Sequence, residues 1–164
     1  MRILGIDPGS RSAGFGVIET AGKKFKYIDS GLLKYNCKTD FINRLGDIYE
    51  SCGDILQKYS PDCISVESLI YVKSPTALMK LAQARGAMIA AFSITHKEKI
   101  FEYSPNLIKS TVSGHGHATK EGIQKILTMI LGIQGFCGHD ESDALAIALC
   151  HAFLINSKTH TQNL

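Results

Sequence analysis

The chain has 164 residues, 45% hydrophobic and 20% charged, a composition typical of one water-soluble globular domain. No run approaches the ~18 consecutive apolar residues of a membrane-spanning helix, and five irregularly spaced cysteines predict neither a disulfide framework nor a zinc site. The net charge of +3 permits a nucleic-acid partner without requiring one. We therefore expect a single domain over residues 1–164, located in the reducing cytoplasm. About the last seven residues are expected to form a flexible tail.

The first predicted strand ends on an acidic residue. An apolar run at residues 3–6 is followed by Asp7 and then by the turn signal Pro8-Gly9. Ligands of open α/β sheets bind at the carboxyl ends of parallel strands, so Asp7 is placed for chemistry or for a metal. A plain Asp-Pro-Gly turn is the alternative interpretation, because Asp commonly begins turns.

The following segments predict an antiparallel meander and a helix that returns to the sheet. Residues 14–19 and 25–33 alternate and are rich in β-forming side chains, so they form two further strands. Residues 41–59 repeat apolar side chains with a period near 3.6 and end before Ser60-Pro61, which predicts an amphipathic helix.

A second acid follows the next predicted strand. Residues 62–66 form a short apolar run that ends on Glu67. A strand that follows a helical crossover is expected to lie parallel to the first strand, which brings Glu67 to the same edge of the sheet as Asp7. An exposed acid at a strand end is the alternative.

The middle of the chain predicts two helices separated by a fifth strand at residues 99–103. The first, from Pro75 to about His96, carries many small and apolar residues on more than one face. Packing within one chain explains them, and a homodimer interface is the second possibility. The second helix is short, at residues 105–112. The pair His115 and His117 follows it, a weak metal signal without further ligands.

The last two predicted helices cover residues 119–131 and the chain after the loop at 132–139. The final helix is apolar nearly all round and hence buried. Asp140 and Asp143 lie three residues apart, on one face of its first turn. N-capping explains Asp140 but does not explain a second acid at the head of the buried part.

Four carboxylates from two strand ends and one helix start would converge if this topology is right: Asp7, Glu67, Asp140 and Asp143. Their mutual repulsion requires compensation, and carboxylate oxygens suit Mg²⁺ or Mn²⁺. Two such ions can drive in-line phosphodiester hydrolysis without a covalent intermediate.

Four segments, in order, resemble the RuvC family of Holliday-junction resolvases: GIDPGSRSAGFGVIE, SVES, ALMKLAQARGAMIAA and DESDALAIALCHA. The resemblance covers almost the whole chain. It implies an RNase H-like three-layer α/β fold with a mixed five-stranded sheet flanked by helices. It also implies a homodimer that binds a four-way DNA junction and acts in recombination and repair. The implied reaction is a pair of Mg²⁺-dependent nicks that leave 5′-phosphate and 3′-hydroxyl ends. Branch-migration proteins of the RuvA and RuvB type are the implied partners.

The resemblance also assigns residues. It implies that Asp7, Glu67, Asp140 and Asp143 are the catalytic metal ligands, with Mn²⁺ able to replace Mg²⁺ and two ions in each active site. It implies that Lys109 and Lys120 contact DNA phosphates, with Lys73 a weaker candidate. Solvated surface charge is the alternative for each lysine.

One position departs from the family pattern. These resolvases usually place phenylalanine three residues after the strand-end glutamate, where it stacks on a base near the crossover. This chain has Ile70 there, followed by Tyr71. Either Tyr71 stacks instead, or the junction centre is handled differently.

Three other functions remain open at this point. An RNase H-like nuclease with another nucleic-acid substrate would use the same acids. A nucleotide-binding domain of the actin and Hsp70 type is suggested by GIDPGS, but such folds need two halves. A non-catalytic junction-binding protein is the third.

Overall fold

The structure, a computed structural model, describes residues 1–69, 74–115 and 118–161, with side chains described through residue 157. The strands are β1 (Arg2–Asp7), β2 (Ser12–Ala21), β3 (Lys24–Lys34), β4 (Cys63–Glu67) and β5 (Ile100–Tyr103). The helices are α1 (Phe41–Tyr59), α2 (Pro75–Ser93), α3 (Pro105–Ser113), α4 (Lys120–Leu131) and α5 (His139–Thr161).

The five strands form one mixed sheet in the order β3-β2-β1-β4-β5. The first three strands pair antiparallel, which confirms the predicted meander. β4 lies parallel to β1, and β5 lies parallel to β4. The parallel neighbours arise because α1 and α2 carry the chain back across the sheet before each new strand begins.

Helices cover both faces of the sheet, because successive side chains of a strand point to opposite faces. In β1, Ile3 belongs to a core shared with α3, α4 and α5. Leu4 and Ile6 belong to a second core, shared with α1 and α2. The predicted three-layer arrangement is therefore present, with two buried cores separated by the sheet.

Side-chain caps fix where the helices begin. Ser74 and Ser104 each accept a hydrogen bond from a backbone N–H of the first turn, and a proline stands at the first position of both α2 and α3. Asp40 and Thr119 cap α1 and α4 in the same way. None of the helices in the described part of the chain combines the length and apolarity that a bilayer crossing needs.

One helix ends earlier than the sequence predicts, and another reaches into the segment that was expected to form a tail. α2 ends at Ser93, short of His96, and the His96 ring hydrogen-bonds to the carbonyl of Pro61 at 2.8 Å. α5 continues to Thr161, so helical backbone extends into the last seven residues, and residues 162–164 lie outside the described part.

The glycines of β1 and β2 bring α5 unusually close to the sheet. A methyl group on Gly5 would overlap the backbone of Ala144, and one on Gly14 would overlap the carbonyl of Asp140. At Gly16, an added Cβ would lie 2.8 Å from the backbone nitrogen of Leu145. The buried helix therefore lies directly on a strip of the sheet that has no side chains.

Candidate active site

Asp7 and Glu67 reach the same edge and the same face of the sheet. β1 and β4 are parallel and pair Ile6 with Val66, so the next residue of each strand is an acid. Both Ile6 and Val66 point into the core against α1 and α2. Alternation then turns Asp7 and Glu67 towards α5 on the opposite face.

The start of α5 brings the other two acids to this position. Gly14 of β2 is paired with Asp7, and the carbonyl of Asp140 lies where a side chain on Gly14 would be. The hydroxyl of Ser12 lies 3.5 Å from a carboxylate oxygen of Asp140. Asp143 follows one helical turn later and lines a cavity of about 170 Å³ together with Glu67.

The four carboxyls interact electrostatically. Burial, followed by the negative charges of Glu67, Asp143 and Asp140, raises the pKa of Asp7 to about 8. Burial and the charge of Asp143 also raise the pKa of Glu67. Each shift disfavours the ionised form of its carboxyl, first through burial and then through the negative charges of the neighbouring acids.

Two lysines lie beside the acids. The ammonium group of Lys120 is 3.1 Å from a carboxylate oxygen of Asp143. Burial disfavours the charged form of Lys120, but the bond to Asp143 and the neighbouring acids outweigh it, and the pKa of Lys120 rises. Lys109 lines the same cavity. The positive charges of both lysines partly offset the rise in the pKa of Glu67.

The donor set suits a hard divalent cation. All four side chains offer carboxylate oxygens, which Mg²⁺ and Mn²⁺ prefer, and a cation would relieve the repulsion that raises the pKa of Asp7. Within the described residues, no group of three or more His, Cys, Asp or Glu side chains has the geometry of a metal site. The acids are thus close enough to interact electrostatically, but as described their carboxylates do not converge on one point as the ligands of a bound metal would.

Glu141 is a buried acid that the sequence analysis did not single out. It lies between Asp140 and Asp143 in sequence, yet its carboxylate accepts hydrogen bonds from the Ser30 hydroxyl at 2.6 Å and from the backbone N–H of Cys137. These bonds tie the start of α5 to β3 and to the preceding loop. A third acid in the DESD segment was the available signal, but its partner lies 111 residues away.

Comparison with known proteins identifies the family. The family model described as crossover junction endodeoxyribonuclease RuvC matches residues 3–151. The chain belongs to the RuvC family. Curated RuvC relatives include those of Ralstonia pickettii, 41% identical over 93% of this chain and 83% of the relative, and of Geobacter sulfurreducens, 39% identical over 93% and 92%.

Solved structures of RuvC and of another Holliday junction resolvase share this fold. Thermus thermophilus RuvC in complex with a Holliday junction substrate superposes with a TM-score of 0.88 at 29% identity, covering 97% of each chain. The yeast mitochondrial Holliday junction resolvase has a TM-score of 0.71 at 17% identity, covering 99% of this chain and 84% of the yeast protein. The predicted RNase H-like fold is confirmed, and RuvC family nucleases are metal-dependent.

Several residues named from the sequence fall outside what the structure describes. Ile70, Tyr71, Lys73 and His117 lie outside the described residues. His115 is exposed, and its backbone and ring contact the hydroxyl of Ser113.

Proposed function

We propose that this chain is a structure-selective endonuclease that resolves Holliday junctions in recombination and repair. It hydrolyses two phosphodiester bonds in a paired reaction and leaves 5′-phosphate and 3′-hydroxyl ends. The observation that carries the proposal is the set of interacting carboxyls at one sheet edge, in a chain that belongs to the RuvC family. Residues 1–164 would act as one nuclease domain, and the free cysteines favour the reducing cytoplasm.

The four acids are the proposed catalytic residues and metal ligands. Asp7, Glu67, Asp140 and Asp143 would hold Mg²⁺, or Mn²⁺ in its place, with two ions in each site. Bound ions of this kind activate water and stabilise the leaving 3′ oxygen. The ammonium groups of Lys109 and Lys120 would contact DNA phosphates near the cleaved bond, which adds affinity rather than sequence preference.

The proposed substrate is a four-way DNA junction, and the proposed assembly is a homodimer. A related RuvC structure contains a Holliday junction substrate, and two active sites related by a two-fold axis would make paired incisions. The outward face of α2 supports such a contact, because it exposes Met79 beside small residues such as Ala82 and Gly86. Branch-migration proteins of the RuvA and RuvB type are further proposed partners.

A strand-resolved cleavage assay tests this function. A mobile four-way junction, labelled in turn on each strand, should be nicked symmetrically in two strands of like polarity with Mg²⁺, and not in EDTA. Asp7→Asn should abolish nicking and retain junction binding, because the lysines remain. Preferential cleavage of an RNA–DNA hybrid or a linear duplex would instead assign another nucleic-acid substrate, and normal cutting by Asp7→Asn would contradict the site.

A further inference from the structure

A second cationic site lies near the acids, on the other side of the sheet edge from Lys109 and Lys120. A cavity of about 430 Å³ is bordered by the loop after β1, the start of α1 and the start of α2. Arg11, Arg44 and Lys80 line it, and its described lining includes no acidic residue. Arg11 is four positions after Asp7 in the chain, so their Cα atoms are at most about 14 Å apart.

Arg44 gives this cavity a fixed frame. Its guanidinium group donates hydrogen bonds of 3.1–3.3 Å to four backbone carbonyls, those of Ser10, Asn36, Cys37 and Thr39. These bonds join the β1–β2 loop to the turn before α1. Arg44 is therefore a structural cation whose charge is held at the cavity wall, while its donors are used within the protein.

Arg11 and Lys80 are the cations left available to a ligand. The carbonyl of Arg11 accepts a bond from the backbone N–H of Tyr35 at 3.3 Å, whereas the residue itself is exposed. Lys80 is exposed too, and its ammonium group lies 5.6 Å from the ring centre of Phe41. The Arg44 guanidinium lies 5.9 Å from the same ring. The Phe41 ring thus lies close to both the available Lys80 and the fixed Arg44.

The start of α2 adds to the positive potential. The helix begins at Pro75, directly after its cap Ser74, and its first turn contains no acidic residue. No side-chain charge in that turn therefore offsets the positive end of the helix dipole. The side chains of Ser74 and Thr76 border the cavity as well. An anion there would meet two available cations, one fixed cation and a helix terminus.

We propose that this cavity binds backbone phosphates of the DNA strand within a few nucleotides of the cleaved bond, through Arg11 and Lys80. The inference rests on the proposed nuclease function. DNA fits better than a small anion, because the cavity continues the edge that carries the acids. Lys109 and Lys120 belong to the α3 and α4 side of that edge, and Arg11 and Lys80 to the α1 and α2 side. A strand crossing the acids would therefore be held on both sides.

Salt dependence of binding is the direct measurement. Junction affinity is measured by fluorescence anisotropy in EDTA, between 50 and 300 mM KCl, for wild type, Arg11→Met, Lys80→Met and the double variant. Removing one cation that binds a phosphate lowers the slope of log affinity against log salt by about 1. We expect that reduction in each single variant, and about twice that reduction in the double variant, for junctions of unrelated sequence.

A matched double variant controls for net charge. Lys26→Met with Lys97→Met removes two exposed lysines from β3 and from the chain after α2, and should keep the wild-type slope. Thermal melting checks that every variant is folded. A wild-type slope in Arg11→Met/Lys80→Met, or an equal reduction in the control, would overturn the site. Wild type that neither binds nor nicks a junction would instead overturn the proposed function.

Discussion

Asp7→Asn should stabilise the metal-free protein while it abolishes cleavage. In the unfolded chain Asp7 ionises with a pKa of 3.8, whereas burial and the charges of Glu67, Asp143 and Asp140 raise its pKa to about 8 in the fold. Folding at pH 7 therefore includes binding a proton at Asp7. At ~1.4 kcal/mol per pH unit the cost is about 4 kcal/mol, and partial solvent access reduces the expected net gain in the variant to about 2–3 kcal/mol.

The sign and the pH window follow from the raised pKa. An acid whose pKa is higher in the folded state does not reduce the free energy of unfolding at a pH below its unfolded pKa. Above that pH the loss of stability grows, until the pH exceeds the pKa of the folded state. The stability difference between Asp7→Asn and wild type should therefore be near zero at pH 4 and reach its maximum at pH 8. For a chain of this length, the gain corresponds to a rise of roughly 5–10 °C in melting temperature.

Urea unfolding in EDTA, from pH 4 to pH 8.5, measures this difference. Asp54→Asn, which changes an exposed carboxylate on α1, is the matched control and should not show the same rise with pH. Added Mg²⁺ should stabilise wild type more than Asp7→Asn and so narrow the gap. A variant that is no more stable than wild type at pH 8, or a gain that does not depend on pH, would refute the proposed coupling of the acids.

Three further substitutions test the surroundings of the acids. Gly14→Ala should lower the free energy of unfolding by about 1–3 kcal/mol and reduce cleavage, because the methyl group displaces the start of α5. Gly53→Ala, in open space on α1, is the control and should not destabilise the protein in chemical denaturation. Lys120→Met should tighten Mn²⁺ binding severalfold in calorimetry without DNA, because the ammonium group on Asp143 competes with the metal. The same variant should abolish cleavage. Lys125→Met is the control and should change neither Mn²⁺ binding nor cleavage. Glu141→Gln should cost about 1–2 kcal/mol by weakening the bonds to Ser30 and Cys137, with a decrease in melting temperature that the exposed Glu50→Gln does not share.

The sequence was sufficient to locate the acids because Asp7 and Glu67 mark strand ends and Asp140 lies at the start of a helix. Asp7 and Glu67 end apolar runs that can only be buried strands, and their parallel pairing follows from the intervening helix. The spacing of Asp140 and Asp143 requires only the helical period. Local patterns of this kind survive in a single sequence because they depend on a few neighbouring residues.

Contacts between distant segments could not be predicted in the same way. Glu141 has no local feature that separates it from its acidic neighbours, and only the packing of β3 against α5 buries it. The end of α2 at Ser93 is similar, because no glycine or proline follows it in the next six residues to mark a stop. The bond between His96 and Pro61 belongs to the turn that follows, and it depends on the position of the chain before β4.

The glycine strip of β1 and β2 controls how far Asp7 and Glu67 lie from Asp140 and Asp143. At this strip the backbone of α5 rests directly on the backbone of the sheet. Asp7 belongs to the sheet and Asp140 to the helix, and Gly14, which is paired with Asp7, has only hydrogen atoms on the Cα that faces the Asp140 carbonyl. Because the two backbones are in direct contact, the distance between the backbone positions of these acids does not depend on any intervening side chain. Cleavage efficiency should thus be controllable from residues that touch neither DNA nor metal.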